Sequence, residues 1–163
     1  MEEQFKNEIV LEPFCDDREE KQNRINKICG NDFSELSHEN RSITPMIADE
    51  NWKEKEGRSF FIRWDNQDVG LIFISKHNEM SKLTNSYTIF ELFIAKKYRR
   101  LGIGKSAVFK VFDMFRGDWE IFICNNNVIT HNFWDHVIKE YTKGKFVFGY
   151  AEKCDFAGFI FKT

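Results

Sequence analysis

The sequence predicts a mixed α/β fold in a single domain spanning 1–163. Three observations carry that expectation. Short runs rich in β-branched and aromatic residues alternate in the manner of strands, two longer segments carry apolar residues at helical spacing, and one stretch in the middle of the chain reads strand, helix, strand. A chain of 163 residues can bury one substantial core and suits one domain rather than two. Hydrophobic residues make up 42% of it and aromatics 16%, with 18 Phe, which is too apolar for a disordered chain and makes a Phe-rich core the expectation.

The elements follow in order. Residues 8–14 alternate as a strand; Asp16 and Asp17 then offer N-cap oxygens for a helix running to Cys29, with Gly30 as its stop. Residues 31–40 read as a loop or broken helix, Pro45 suits the first turn of another short helix, and 49–57 are strongly charged. Residues 59–64 and 69–75 are strand-like, and the intervening Asp65-Asn66-Gln67-Asp68 makes them a hairpin. A third strand covers 87–95. Period two along it puts Tyr87, Ile89, Glu91 and Phe93 on one face and Thr88, Phe90, Leu92 and Ile94 on the other, with Glu91 the only charge.

Ile103, Ala107, Val108, Val111, Phe112 and Phe115 recur at helical spacing opposite Lys105, Lys110, Asp113 and Arg116, and Gly117 can end that helix. Residues 119–124 make a short buried strand. A second amphipathic helix covers 128–141, with Ile129, Phe133, Val137, Ile138 and Tyr141 on one face. Two aromatic runs, 145–150 and 156–161, predict a terminal antiparallel pair.

Bulk properties exclude several classes. With 24 basic against 26 acidic side chains, a net charge of -2 and a pI near 6.1, the chain has no global field for nucleic acid; Lys96, Lys97, Arg99 and Arg100 are too local to reverse that. Cys15, Cys29, Cys124 and Cys154 are scattered without zinc spacing and read as reduced thiols. His131 and His136, five apart, miss the i, i+4 spacing of a helical metal pair, so no metal is expected. The charged N-terminal segment does not read as a cleavable signal, and no apolar run nears the roughly 20 residues of a membrane helix. A cytoplasmic protein is the expectation.

Chemistry concentrates between the third strand and the first long helix, at Arg99-Arg100-Leu101-Gly102-Ile103-Gly104-Lys105. Glycines there let the backbone approach a ligand, the helix start presents unpaired N–H groups, and its dipole adds roughly half a positive charge to those of the side chains. Such a turn suits a pyrophosphate. It is neither a Walker loop nor a dinucleotide fingerprint, since it lacks the third glycine and the later acidic residue. Two readings fit these residues alone: an anion site, and a tight structural turn with solvated cations.

The stretch Tyr98-Arg99-Arg100-Leu101-Gly102-Ile103-Gly104 resembles the R/Q-x-x-G-x-G/A signature of the GNAT superfamily of N-acetyltransferases, and Glu91-Leu92-Phe93-Ile94 before it resembles the family's E-L-x-V strand. The landmark N-x-x-A-x-x-F-Y is approximated by Asn127, Thr130, Phe133 and Trp134. Segments 31–36, 60–63 and 133–142 are similar to small bacterial GNAT proteins described only as predicted acetyltransferases.

The resemblance implies a central mixed, mostly antiparallel sheet splayed at its middle strands and flanked by helices. It implies acetyl-CoA as acetyl donor, with pantetheine along Leu92, Phe93 and Ile94 and pyrophosphate over Arg99, Arg100, Leu101, Gly102, Ile103, Gly104 and Lys105, and with Asn127 and Phe133 near the pantetheine. The implied reaction is direct attack by an amine of a small molecule or peptide in a ternary complex. Glu91 is the expected general base, burial raising its pKa, against a purely structural pairing with an arginine. The family's usual acid is a tyrosine, but its position here is Trp134, which cannot deliver a proton. Tyr141, Tyr150 or solvent stand as replacements, Tyr141 equally as a core residue. A monomer or homodimer acting on an amine acceptor is one expectation, with no partner nucleic acid or membrane; a catalytically silent acyl-CoA-binding module is the alternative.

Overall fold

The computed structural model describes residues 8–30, 57–76, 85–124, 127–150 and 156–163. The expectations for 31–56, for Cys154 and for the Tyr150 side chain lie outside the described residues. Strand β1 (Val10–Pro13) leads to helix α1 (Arg18–Cys29). Asp17 caps α1 by accepting a bond from the Glu20 N–H at 2.8 Å, and Gly30 ends it in a positive-φ conformation (φ 49°) open mainly to glycine.

Strands β2 (Arg58–Trp64) and β3 (Gln67–Ser75) form the predicted hairpin, but its turn has two residues rather than four. Asp65 and Asn66 both adopt left-handed backbone (φ 51° and 60°), the handedness that matches the twist of the flanking strands. Strand β4 (Thr88–Ile94) completes a sheet ordered β1-β2-β3-β4, antiparallel throughout. After it come a short 3₁₀ turn (Lys96–Tyr98), helix α2 (Ile103–Met114), β5 (Asp118–Cys124), helix α3 (Val128–Thr142), β6 (Val147–Tyr150) and β7 (Phe156–Lys162). The last three strands form a second antiparallel sheet ordered β5-β7-β6.

The period-two reading of β4 needs a correction. Glu91 pairs with Phe73 and Ile89 with Ile74, so the register steps over Phe90, an extra residue that makes a β-bulge. One extra residue reverses the facing of everything before it. Ile89 therefore shares a core with Leu92 and Ile94, while Phe93 packs on the other side of the sheet.

Two apolar layers result. Helices α2 and α3 cover one face, burying Val108, Val111, Phe112, Val137 and Ile138 against Phe60, Ile72, Ile74, Trp119, Ile121 and Phe159. Helix α1 covers part of the opposite face with Ile25 and Ile28 against Phe61, Leu71, Phe73 and Phe93. Each such fully buried side chain contributes roughly 1.5–3 kcal/mol.

Arg24 pins α1 to the strands. Its guanidinium donates to both Asp68 oxygens at 2.7 and 2.9 Å and to Glu12 at 2.6 Å, and its carbon lies 3.8 Å from the centre of the Phe61 ring. Arg63 reaches the other Glu12 oxygen at 2.8 Å. These cations hold the Glu12 carboxyl below the usual carboxylate range, Arg24 contributing most. Arg24→Ala removes both of these Asp68 hydrogen bonds and one of the two to Glu12, and is expected to lower stability by about 2–3 kcal/mol, read as a fall in the denaturant midpoint.

Strands β4 and β5 define the centre of the molecule. They run parallel but share one bridge among the described residues, Tyr87 to Trp119, with the Tyr87 N–H on the Asp118 carbonyl at 2.8 Å and the Glu120 N–H on the Tyr87 carbonyl at 2.9 Å. Beyond that vertex they belong to different sheets. The result is a fork, closed at Tyr87 and open towards Ile94.

Candidate active site

The turn after β4 sits at the open end of the fork. Arg99 is clamped: its Nε donates to the Ile94 carbonyl at 2.8 Å and its guanidinium lies 5.6 Å from the Phe93 ring centre. This ties the turn to the strand end. Arg100 is exposed and left-handed (φ 67°), and Gly102, the N-cap of α2, is left-handed too (φ 78°, ψ 2°). A glycine cap has no side-chain oxygen to offer, and the first intrahelical bond runs from the Ser106 N–H to the Gly102 carbonyl. The N–H groups of Ile103, Gly104 and Lys105 thus precede the helical ladder and are available to an anion. Lys105 is held by both Glu140 oxygens at 3.0 Å.

The walls of the fork come from three elements. The edge of β4 that faces away from β3 has no paired strand beyond Tyr87 among the described residues. A Cβ built on Gly104 would lie 3.6 Å from Ile94 and 3.6 Å from the Phe133 ring, so the missing side chain keeps open a gap between α2, the end of β4 and α3. Asn127 caps α3, accepting from the Thr130 N–H at 3.0 Å. The structure therefore brings together Leu92, Phe93, Ile94, the 99–105 turn and Phe133, with Asn127, the cap of α3, about one and two-thirds turns before Phe133.

The sequence profile of the acetyltransferase (GNAT) family matches residues 24–137, most of the chain. The chain belongs to the GNAT family. No curated protein sequence matches it significantly. Among solved structures it is similar to an acetyltransferase from Thermus thermophilus (14% identity, TM-score 0.66, covering 95% of this chain and 97% of that one). It is also similar to PH1933 from Pyrococcus horikoshii (19%, TM-score 0.63, 96% and 99%) and to the Campylobacter jejuni N-acetyltransferase PseH, solved with acetyl coenzyme A (15%, TM-score 0.54, 95% and 99%). At these identities the likeness establishes the fold.

Within this GNAT fold the expected catalytic residues have different placements. Glu91 is half-buried in the β4 bulge and pairs across the sheet with Phe73, on the face away from α2 and α3. Tyr141 is elsewhere. Its hydroxyl donates to Asp113 at 2.7 Å, and its ring packs on Phe109 and Phe112, the latter touching Trp119 at the closed end of the fork. Lys105 and Asp113 are eight residues apart on α2, about 12 Å along its axis, so Tyr141 does not meet the 99–105 turn. Trp134 is buried against Phe133 in the core. Among the described residues no three His, Cys, Asp or Glu side chains gather to hold a metal, and no helix is long and apolar enough to cross a membrane.

Burial, then the hydrogen bond to Asp113, pushes the Tyr141 pKa up to about 12 from an ordinary 10.0. The folded chain thus favours the neutral phenol. Its contribution to stability is present below about pH 10 and lost as the pH rises towards 12. Tyr141→Phe is expected to cost about 1 kcal/mol at neutral pH and to remove that alkaline component, which thermal melts across alkaline pH would resolve.

One group escaped the sequence reading. Ser75, Ser86, Thr88 and Glu120 are the buried polar side chains among the described residues, each 5% exposed or less. They share a location. Ser75 pairs with Thr88 across β3 and β4, and the Ser86 hydroxyl bonds a Glu120 oxygen at 3.1 Å. The available signal was Glu120, a lone charge inside the apolar run of β5.

Proposed function

We propose that this GNAT chain is an acetyl-CoA-dependent N-acetyltransferase that acetylates an amine of a small molecule or peptide by direct attack in a ternary complex. The observation that carries this reading is the left-handed Gly102 turn delivering three helix-start N–H groups beside Arg100 at the open end of the β4 edge, which joins no second strand beyond Tyr87 among the described residues. Backbone amides and a guanidinium suit a diphosphate, the β4 edge suits the amides of pantetheine, and the gap at Gly104 admits its chain. Bound there, acetyl-CoA supplies a thioester whose carbonyl carbon gains the C–N bond while its C–S bond breaks, the electron pair leaving on sulfur.

Glu91 accepts the proton that the attacking nitrogen loses, directly or through water. The thiolate takes its proton from solvent: the Trp134 indole cannot supply one, and the Tyr141 hydroxyl is engaged with Asp113. Calorimetric titration with CoA and steady-state thiol release across an amine panel test the reading together. Saturable CoA binding with amine-dependent thiol release supports it, and absence of CoA binding overturns it. Buried Trp134 favours a second reading, a silent acyl-CoA-binding module, whose signature is tight CoA binding without turnover on any amine.

A further inference from the structure

The buried polar cluster is out of character with its surroundings. The core is built from Phe, Ile, Val and Trp, yet one carboxylate and three hydroxyls are sequestered together. All four side chains lie on the same face. Trp119 and Ile121, either side of Glu120, pack in the core beneath α2 and α3, as do Ile74 before Ser75 and Ile89 after Thr88; Tyr87, between Ser86 and Thr88, packs against that core too. Period two then turns Ser75, Ser86, Thr88 and Glu120 to the opposite face. That is the face of Phe73 and its partner Glu91.

Glu120 decides the chemistry. It is 4% exposed, its side chain is bonded by the Ser86 hydroxyl, and no cation pairs with it among the described residues. A carboxylate withdrawn from water without a counter-charge is costly, whereas an ammonium ion would find there one anion and several hydroxyl acceptors. The Glu120 N–H closes the vertex of the fork on the Tyr87 carbonyl, so the cluster borders the fork at its closed end.

We propose that Ser75, Ser86, Thr88 and Glu120 bind a second ammonium group of the acceptor, one that is not acetylated, so that the acceptor is a diamine-type dication. This rests on the acetyltransferase reading and narrows its substrate class. The amine that attacks must be neutral, and a carboxylate in direct contact holds its partner protonated; the group seated on Glu120 is therefore the anchor, and the nucleophile is the amine that reaches the level of Glu91. Thr88 and Glu91 are three positions apart with the bulged Phe90 between them, which places the two nitrogens roughly 7–10 Å apart at the usual rise of a strand.

The test is calorimetry on the full chain with CoA present, comparing hexane-1,6-diamine with hexylamine. Wild type is expected to bind the diamine about ten- to a hundredfold more tightly. Glu120→Gln, which keeps shape and an oxygen for Ser86, should lower the diamine affinity and erase the preference. Equal affinity for the two amines, no binding of either, or a preference that survives Glu120→Gln overturns the assignment. Thr88→Val provides a milder arm should Glu120→Gln fail to fold: the preference should shrink several-fold, and an unchanged preference counts against the proposal. CoA titration in the same cell reports separately on the acetyltransferase reading, because loss of CoA binding overturns that reading whatever the amines do.

Discussion

Gly102→Val abolishes measurable coenzyme A binding while the fold persists. A Cβ at this position would meet no atom within 4 Å, so the substitution creates no clash with neighbours. The obstacle is the backbone: φ is 78°, a conformation that a β-branched residue adopts only at a cost of roughly 1–3 kcal/mol. The cheaper response is for the turn to leave the left-handed region, which swings the Ile103, Gly104 and Lys105 N–H groups off the diphosphate. Calorimetry should show affinity lowered at least about a hundredfold, in keeping with several charge-assisted bonds lost together. Gly102→Asn is the discriminating control, since asparagine tolerates the left-handed region; it should retain most of the affinity. Loss in both variants, or in neither, would separate the turn's conformation from binding.

Glu91→Gln lowers kcat by about a hundred- to ten-thousandfold, the usual contribution of a positioned general base, and leaves CoA affinity unchanged. The two variants should thus divide cleanly, one failing in binding and the other in turnover. The glutamine is nearly isosteric and stays in the bulge opposite Phe73, so a stability change is not the expected cause of the loss. Unaltered kcat with every accepted amine would leave Glu91 a purely structural residue of the bulge and require another route for the proton.

How far the sequence reached can be argued from particular residues. Asp17, Gly30, the Asp65-Asn66 pair and Gly102 act through their own backbone and nearest neighbours, and each is found doing what its chemistry dictates. The helices over 103–114 and 128–142 follow from apolar spacing, and the motif at 98–104 pointed to the family that the profile match establishes. The face of Ile89 was misread because a bulge is a relation between two strands: nothing in residues 87–95 taken alone says that the register with β3 steps over Phe90.

The same distinction separates Tyr141 from Glu120. Spacing put Tyr141 on the apolar face of its helix, but its bond to Asp113 comes from a helix that ends 14 residues before α3 begins. Glu120 was hidden within a run that reads as plain buried strand, and the Ser86 hydroxyl that meets it lies 34 residues away. By itself the sequence determined the local elements, their caps and the glycine turn at 99–105, because these depend on backbone conformation and contacts within a few residues. Only the tertiary structure decided which β4 side chains face which core, where the two strands part, and which polar groups are sequestered together, because burial and pairing are properties of elements in contact and not of either one alone.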